Sequence, residues 1–287
     1  MNQWRKDIAS WNVGTILYLS IPFTWMLPKA KEMAAAHKGK VVAGGPAVVL
    51  AKKNGCFDLS FAETPEAVPF DVLAFHNPLA TFTSRGCPNG CEFCAVPKIE
   101  GEFKQFDKWK PAPVVCDNNI LAGTRTHFSQ VIRSLKKFPY ADFNQGLEAR
   151  RLTIYHVSDL CELKAVKIRF AFDSWAEETS VHDAIELCKS QGLNDIGVYC
   201  LIGFDDSPDD ARGRLELVRS WGIRPNAMRF QPLDALVKNS HVAKGWTEAE
   251  LRKMMQYYNH LRWYEHIKYE SFDRYPFREP MEQACLL

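Results

Sequence analysis

The chain has 287 residues, of which 46% are hydrophobic and 24% are charged, and its formal net charge is +2. These values are typical of a globular protein with a substantial core, and so small a charge does not demand a nucleic acid or a membrane as partner. No apolar stretch approaches the roughly 20 residues that span a bilayer, and the N-terminus lacks the apolar core of a signal peptide. We therefore expect a cytoplasmic protein with no membrane partner.

The first 78 residues are expected to form a small α/β segment. Periodicity predicts one strand, one helix and three further strands, at residues 15–21, 27–37, 40–43, 57–61 and 71–75. This order is typical of a truncated Rossmann-like unit. The pair Gly44-Gly45 is a weak phosphate-loop signal because no G-x-G-x-x-G accompanies it, so a plain tight turn is the preferred interpretation.

From residue 79 onward the pattern becomes a regular alternation of strands and helices. Six strands are predicted at residues 79–83, 113–116, 142–144, 167–172, 196–202 and 226–230. Four helices are predicted between them, at residues 126–138, 157–165, 181–191 and 207–221. Repeated βα units force parallel strands with right-handed crossovers. The predicted fold class is α/β, a partial (β/α)6 TIM-like barrel, whose working residues would lie at the C-terminal strand ends.

The chain changes character after residue 235. Thr247 is a predicted N-cap for a long helix over residues 248–266 that carries several aromatic side chains, and aromatic residues at helical spacing usually belong to a core. We expect this helix to pack across the open side of the barrel. The predicted domains are thus a truncated cobalamin-binding-like segment (1–78), a partial barrel (79–235) and a helical C-terminal extension (236–287).

Three of the nine cysteines, Cys87, Cys91 and Cys94, lie within eight residues, in the loop after the first strand of the alternating series. A disulfide would use two of them and leave one over. A structural zinc requires four ligands, and the candidate for a fourth ligand beside the three cysteines is His76. A ferredoxin-type cluster also takes four cysteines, usually at a different spacing.

A cubane iron–sulfur cluster held by three cysteines fits this loop best, because one iron then stays open to an exogenous ligand. Gly86 and Gly90 would let the loop wrap closely around such a cluster. Phe93, next to the last cysteine, would shield it from water and tune its potential.

The run Cys87-x3-Cys91-x-Phe93-Cys94, directly after a strand that opens a βα series, resembles the signature of the radical S-adenosylmethionine enzymes. The form TSRGCPNGCEFC is closest to the branch with the methylthiotransferases, the Elongator-type proteins and the cobalamin-dependent enzymes. The resemblance implies that the three thiolates hold a 4Fe-4S cluster whose fourth iron chelates S-adenosylmethionine. Reductive cleavage would give methionine and a 5′-deoxyadenosyl radical, which abstracts hydrogen from a substrate.

The same resemblance implies cofactor contacts at the ends of later strands. Asp117 and Asn118 would bind the methionyl amino group, where the family often has Gly-Gly-Glu, and Asp173 with Ser174 matches the ribose position. Each of these residues also has an ordinary structural alternative, such as a helix cap or a surface ion pair. The predicted cofactor-binding residues, which include an adenine-side glycine and either Arg150 or Arg229 for the carboxylate, are Phe93, Asp117, Asn118, Gln145, Arg150, Asp173, Ser174, Gly203 and Arg229.

The remaining expectations concern cofactors and partners. The N-terminal segment is similar to the latter half of a cobalamin-binding domain but lacks its Asp-x-His-x-x-Gly, so bound cobalamin is not expected. The chemistry requires a low-potential electron donor of the flavodoxin or ferredoxin type. The branch resemblance favours a nucleobase or nucleotide, in nucleic acid or free, as substrate. A peptide or small metabolite stays open, as does a non-catalytic iron–sulfur electron-transfer protein.

Overall fold

The computed structural model describes residues 4, 5, 7–260 and 266–274. The N-terminal part contains a three-stranded sheet in the order β1-β2-β3, with β1 and β2 antiparallel and β2 and β3 parallel. Its elements in chain order are β1 Ala9–Val13, β2 Ile16–Ser20, α1 Leu27–Ala35, β3 Val41–Gly44, α2 Pro46–Asn54 and α3 Val72–His76. The apolar faces of α1 and α2 share one buried cluster with the sheet, which includes Leu19, Leu27 and Val48.

Two features of this part depart from the predictions. The strands expected at 57–61 and 71–75 are wrong: the first range contains no strand, and most of the second lies in α3. The tight turn at Gly44-Gly45 leads directly into α2, which was not predicted. Gly45 has φ +96°, and a Cβ there would lie 2.7 Å from the carbonyl oxygen of Ile21, so the close approach of the chain to β2 requires glycine.

The second part of the chain alternates strands and helices as predicted. Its strands are β4 Ala80–Thr81, β5 Ser84–Arg85, β6 Lys104–Gln105, β7 Val114–Val115, β8 Ala141–Phe143, β9 Val166–Ala171, β10 Ile196–Ile202 and β11 Arg224–Arg229. Its helices are α4 Val96–Ile99, α5 Arg125–Leu135, α6 Ile154–Leu160, α7 Glu178–Ser190, α8 Pro208–Ser220 and α9 Glu248–Asn259. The antiparallel pair β5-β6 stands apart and brackets the cysteine loop.

Six of these strands form one parallel sheet in the order β4-β7-β8-β9-β10-β11, so spatial order follows chain order. The α/β class and the six parallel strands are confirmed. Within the described residues, β4 and β11 are the two edges of this sheet, and no pairing between them is present. Closure or curvature into a partial barrel therefore stays a prediction.

The edge strand β11 is covered by α9. The side-chain amide of Asn259 accepts the N–H of Ala227 at 2.8 Å and donates to its carbonyl at 3.0 Å, so it pairs with the strand edge as a neighbouring strand would. Leu251, Met254 and Tyr257 from α9 belong to the main core. The predicted helix thus starts after its Thr247 cap as expected but ends at Asn259, and residues 261–265 lie outside the described residues.

The N-terminal part contacts the second part at several points. The Thr24 hydroxyl donates to the carbonyl of Ala235 at 2.6 Å, Lys53 in α2 donates to the carbonyl of Lys98, and Leu236 packs on the N-terminal cluster. The domain boundaries stay a prediction. No helix in the described ranges has the length and apolar character needed to cross a membrane.

A buried arginine joins α8 to the ends of two central strands. Arg214 is 1% exposed and donates to the carbonyls of Phe172 and Leu201 at 2.9 and 3.0 Å and to the carboxylate of Asp206. The carbonyls and the carboxylate would lose their donors if the guanidinium were absent. Arg214 therefore fixes the segments that follow β9 and β10.

We predict that Arg214→Met lowers the free energy of unfolding by about 3–5 kcal/mol, because it leaves the Asp206 charge and two carbonyls without their donor. Urea denaturation measures this change. Arg212→Met, in the same helix, is the control: Arg212 forms a solvent-exposed pair with Glu270, whose loss costs below about 1 kcal/mol. Equal losses in the two variants would contradict the assignment.

Candidate active site

A cavity of about 560 Å³ opens at the C-terminal edge of the six-stranded sheet. Its lining comes from the loops after five parallel strands, because parallel strands bring all their C-terminal ends to one edge. The lining residues that matter below are Cys87, Asn89, Cys91, Phe93, Cys94, Asn118, Asn119, Gln145, Glu148, Arg150, Asp173, Ser174, Glu177, Phe204, Asp205 and Asp206.

The structure brings together most of the residues predicted from sequence. The three cysteines line this one cavity, and so do six of the nine predicted cofactor-binding residues: Phe93, Asn118, Gln145, Arg150, Asp173 and Ser174. The other three, Asp117, Gly203 and Arg229, do not line it. His76, the alternative fourth zinc ligand, also lies elsewhere and is within 2.9 Å of the Ser20 hydroxyl.

The cysteine loop is shaped by one glycine and by hydrogen bonds to sulfur. Gly86 has φ +80°, and a Cβ there would lie 2.3 Å from the carbonyl oxygen of Glu102, so no other residue fits. The backbone N–H of Asn89 donates to the sulfur of Cys87, and that of Val96 donates to the sulfur of Cys94, both at 3.4 Å. Such donors stabilise a thiolate more than a thiol.

Burial raises the pKa of the Cys94 thiol, and burial together with the neighbouring Cys94 and Cys87 raises the pKa of Cys91. Three acidic groups that share a cavity repel one another once ionised, so a bound cation would be needed to hold all three as thiolates. The donor set consists of soft sulfur atoms, which suits iron–sulfur clusters. The three cysteines are therefore of the donor type that a cubane cluster takes.

No group of three or more His, Cys, Asp or Glu side chains among residues 4, 5, 7–260 and 266–274 is arranged to hold a metal ion. A single zinc would draw its sulfur ligands to about 4 Å from one another. A cubane takes each thiolate at a different iron, so its ligands stand farther apart. The three sulfurs line one cavity but do not form a closed ligand set for a single metal ion.

One polar atom in the cavity wall lacks a partner. Asn119 is 4% exposed, and its Oδ1 is buried without a hydrogen bond, whereas its Nδ2 donates to the sulfur of Cys87 at 3.4 Å. An unsatisfied buried carbonyl costs about 1–3 kcal/mol.

Carboxylates dominate the charge of the cavity. Glu148 is tied to Arg150, whose Nε donates at 2.6 Å, and to the amide of Asn89; burial opposes these bonds, but they prevail and lower the pKa of Glu148. Glu177 accepts the backbone N–H of Asp173 at 2.7 Å. Asp173 itself accepts the N–H of Leu201 at 2.8 Å, yet burial raises its pKa to about 6.

Aromatic rings connect the cysteine loop to the last strand ends. Phe93 meets Phe204 edge to face at 5.5 Å between ring centroids, Phe204 meets Phe230 at 4.8 Å, and Phe230 meets His241 at 5.2 Å. Phe93 therefore lies at one end of a row of aromatic rings.

The three predicted residues outside the cavity have structural partners. Asp117 is 2% exposed and accepts hydrogen bonds from Thr83 and Ser84, whereas Arg229 pairs with Glu248 at 2.6 Å. Gly203 has φ +73°, where its N–H donates to Asp206. Their roles in cofactor binding stay predictions.

Sequence reasoning missed Asn119, Glu148 and Arg214. Asn119 follows the predicted Asn118, and Glu148 lies two residues before the predicted Arg150. A wider window around each strand end would therefore have included both. Arg214 lies in the middle of a helix, and nothing in its local sequence marks it as buried.

A scan against protein-family models finds no match, and a comparison with curated proteins finds no significant similarity.

We predict that the Asp173 carboxyl titrates near pH 6, well above its ordinary value of 3.8. Because the folded protein then binds this proton more tightly than the unfolded chain, the contribution of Asp173 to stability grows as pH falls from 7 towards 4 and is lost as pH rises through 6. Carbon-13 NMR of the side-chain carboxyl measures the midpoint. Asp210, whose pKa the Ser207 hydrogen bonds lower, is the control, and a midpoint for Asp173 below 4.5 would contradict the prediction.

Proposed function

We propose that this chain is a radical S-adenosylmethionine enzyme in which Cys87, Cys91 and Cys94 bind a 4Fe-4S cluster. The observation that carries the proposal is that these three thiols, in a C-x3-C-x2-C loop, line one cavity at the C-terminal edge of a parallel sheet. With three protein ligands, one iron is left for a second molecule, and the cavity supplies the room for it.

The finer fold belongs to the same proposal. Six parallel strands in chain order, with a helix after most of them, are the arrangement of a partial (β/α)6 TIM-like barrel. The three-stranded sheet of the N-terminal part is then a truncated Rossmann-like segment, and α9 begins a helical C-terminal extension. In such a barrel the loops after the strands surround the site, as the loops around this cavity do.

The bound group would supply an electron for cleaving the sulfonium C–S bond, which yields a 5′-deoxyadenosyl radical that removes hydrogen from a substrate. The chain's own residues would bind, orient and exclude water. Phe93 and Phe204 wall one side with apolar rings, which protects a radical from quenching. Arg150, also in the lining, is held by Glu148, and its guanidinium could pair with a carboxylate.

Asp173 would also orient the cofactor. It is half-buried in the wall and would accept hydroxyl donors while its backbone stays fixed by Glu177. This is a binding role and requires no proton transfer.

The charge of the cavity bears on the substrate. Five carboxylates (Glu148, Asp173, Glu177, Asp205 and Asp206) line it. Glu148 is paired with Arg150 and Asp206 with Arg214, so three carboxyl groups carry the excess of negative charge. Phosphates would be repelled from such an interior. A nucleobase substrate would therefore enter with its phosphates outside, and a neutral or cationic side chain or metabolite is the second candidate. An electron donor of the flavodoxin or ferredoxin type completes the proposed system.

Anaerobic reconstitution tests the proposal. We predict a brown protein with about four irons per chain, the content of one cubane. Dithionite and S-adenosylmethionine should then release 5′-deoxyadenosine, measured by liquid chromatography. Candidate substrates carrying deuterium should pass the label into that product.

Cys91→Ala should lose both the colour and the cleavage, because the cluster would keep only two ligands. Cys161→Ala is the matched control, since Cys161 is exposed but does not line the cavity, and it should behave as the unmodified protein does. A colourless protein with one zinc per chain would overturn the proposal.

A further inference from the structure

The turn after β7 holds the start of the cysteine loop through three consecutive residues. Asp117 accepts the N–H of Thr83 at 2.6 Å and the hydroxyl of Ser84 at 2.7 Å. Asn118 accepts the N–H of Gly86 at 3.0 Å through its Oδ1, and Asn119 donates to the sulfur of Cys87. Side chains 117–119 thus follow the loop from residue 83 to residue 87.

Among side chains 117–119, the amide of Asn119 donates a hydrogen bond to a cysteine sulfur, that of Cys87. It lies 3.4 Å from the Cys87 sulfur and is buried from solvent. A ligating thiolate carries no proton and can only accept, so the amide must turn its N–H towards Cys87 and its oxygen away. The orphaned Oδ1 is consistent with that orientation.

The three thiols differ in the donors they receive. Cys87 accepts two hydrogen bonds to its sulfur, from the Asn89 backbone and from Asn119, and Cys94 accepts one, from the Val96 backbone. For Cys91 the described residues show no such donor. Cys87 is therefore the thiol at which the protein offers the most stabilisation of negative charge.

We propose that Asn119 is a positioning residue that sets the reduction potential of the cluster through its N–H···S bond to Cys87, with Asp117 and Asn118 holding the loop in register. This rests on the proposed cluster at Cys87, Cys91 and Cys94. Hydrogen bonds to the sulfurs of a cluster raise its potential, because the reduced cluster is more negative and gains more from each donor.

The test is Asn119→Leu, which keeps the number and branching of the side-chain heavy atoms and removes the donor. The midpoint potential is measured by spectroelectrochemistry on the reconstituted protein without S-adenosylmethionine. It should fall by about 59 mV, which lowers the ratio of reduced to oxidised cluster at a fixed potential about tenfold. Gln145→Leu, which removes another cavity amide that is not bonded to sulfur, should leave the midpoint within about 15 mV, less than a twofold change in that ratio.

A second measurement covers a variant that does not take up a cluster. In the metal-free protein, Asn119→Leu should slow the alkylation of Cys87 by iodoacetamide about fivefold relative to Cys94, because the thiolate loses a donor. Peptide mass spectrometry follows both sites.

The outcomes separate this inference from the proposed function. An unmodified protein that binds no cluster overturns the function and this inference together. If the unmodified protein binds the cluster and Asn119→Leu does not, an unchanged alkylation ratio overturns this inference alone. An unmodified protein that binds the cluster with the same midpoint as Asn119→Leu overturns this inference alone. A shift of equal size in Gln145→Leu overturns it as well.

Discussion

The buried carboxylate of Asp117 is the interaction on which the candidate site depends. It ties the chain after β4, through Thr83 and Ser84, to the end of the neighbouring strand β7. Thr83 also lies 3.1 Å from the imidazole of His127 in α5, so strand, loop and helix meet at one point. Burial raises the pKa of this carboxyl against the hydrogen bonds that lower it, and a buried carboxylate is kept only where such donors surround it. The cysteine loop starts from this anchored point.

The same logic recurs at the other side of the cavity. Arg214 reaches from α8 to the strand ends of β9 and β10 and holds Asp206 beside them. Two buried charged side chains, the carboxylate of Asp117 and the guanidinium of Arg214, thus fix the loops that carry Cys87 and Phe204. Burying either charge without hydrogen-bond partners would cost free energy, so Asp117 requires its donors and Arg214 requires its acceptors. The loops held by these bonds therefore have little freedom to rearrange. In the proposed reaction, a cavity with fixed walls would help to protect the radical from side reactions.

Much of the architecture could be predicted because it follows from local patterns. The strand at β10 was predicted at its observed bounds, and the capped helices α8 and α9 begin after Ser207 and Thr247 as expected. The failures are at short or ambiguous segments: α3 has only five residues and reads equally well as a strand. Helix α2 was missed because its first residue, Pro46, directly follows Gly44-Gly45 and resembles the continuation of a turn. Whether the sheet curves into a barrel depends on long-range twist, which no local pattern encodes.

The site shows the same division between local and long-range information. Spacing alone marked the three cysteines, and position at a strand end marked Asp173 and Arg150. What spacing could not tell is which way a side chain points after the strand ends. Asp117 and Asn119 differ by two residues, yet the first faces β4 and lies outside the cavity, whereas the second belongs to its wall. Strand alternation would place residues two apart on the same face, so the two side chains diverge because the chain has already left β7 at Val115. Within the run 117–119, Asp117 therefore holds the start of the cysteine loop, whereas Asn119 donates a hydrogen bond to the sulfur of Cys87.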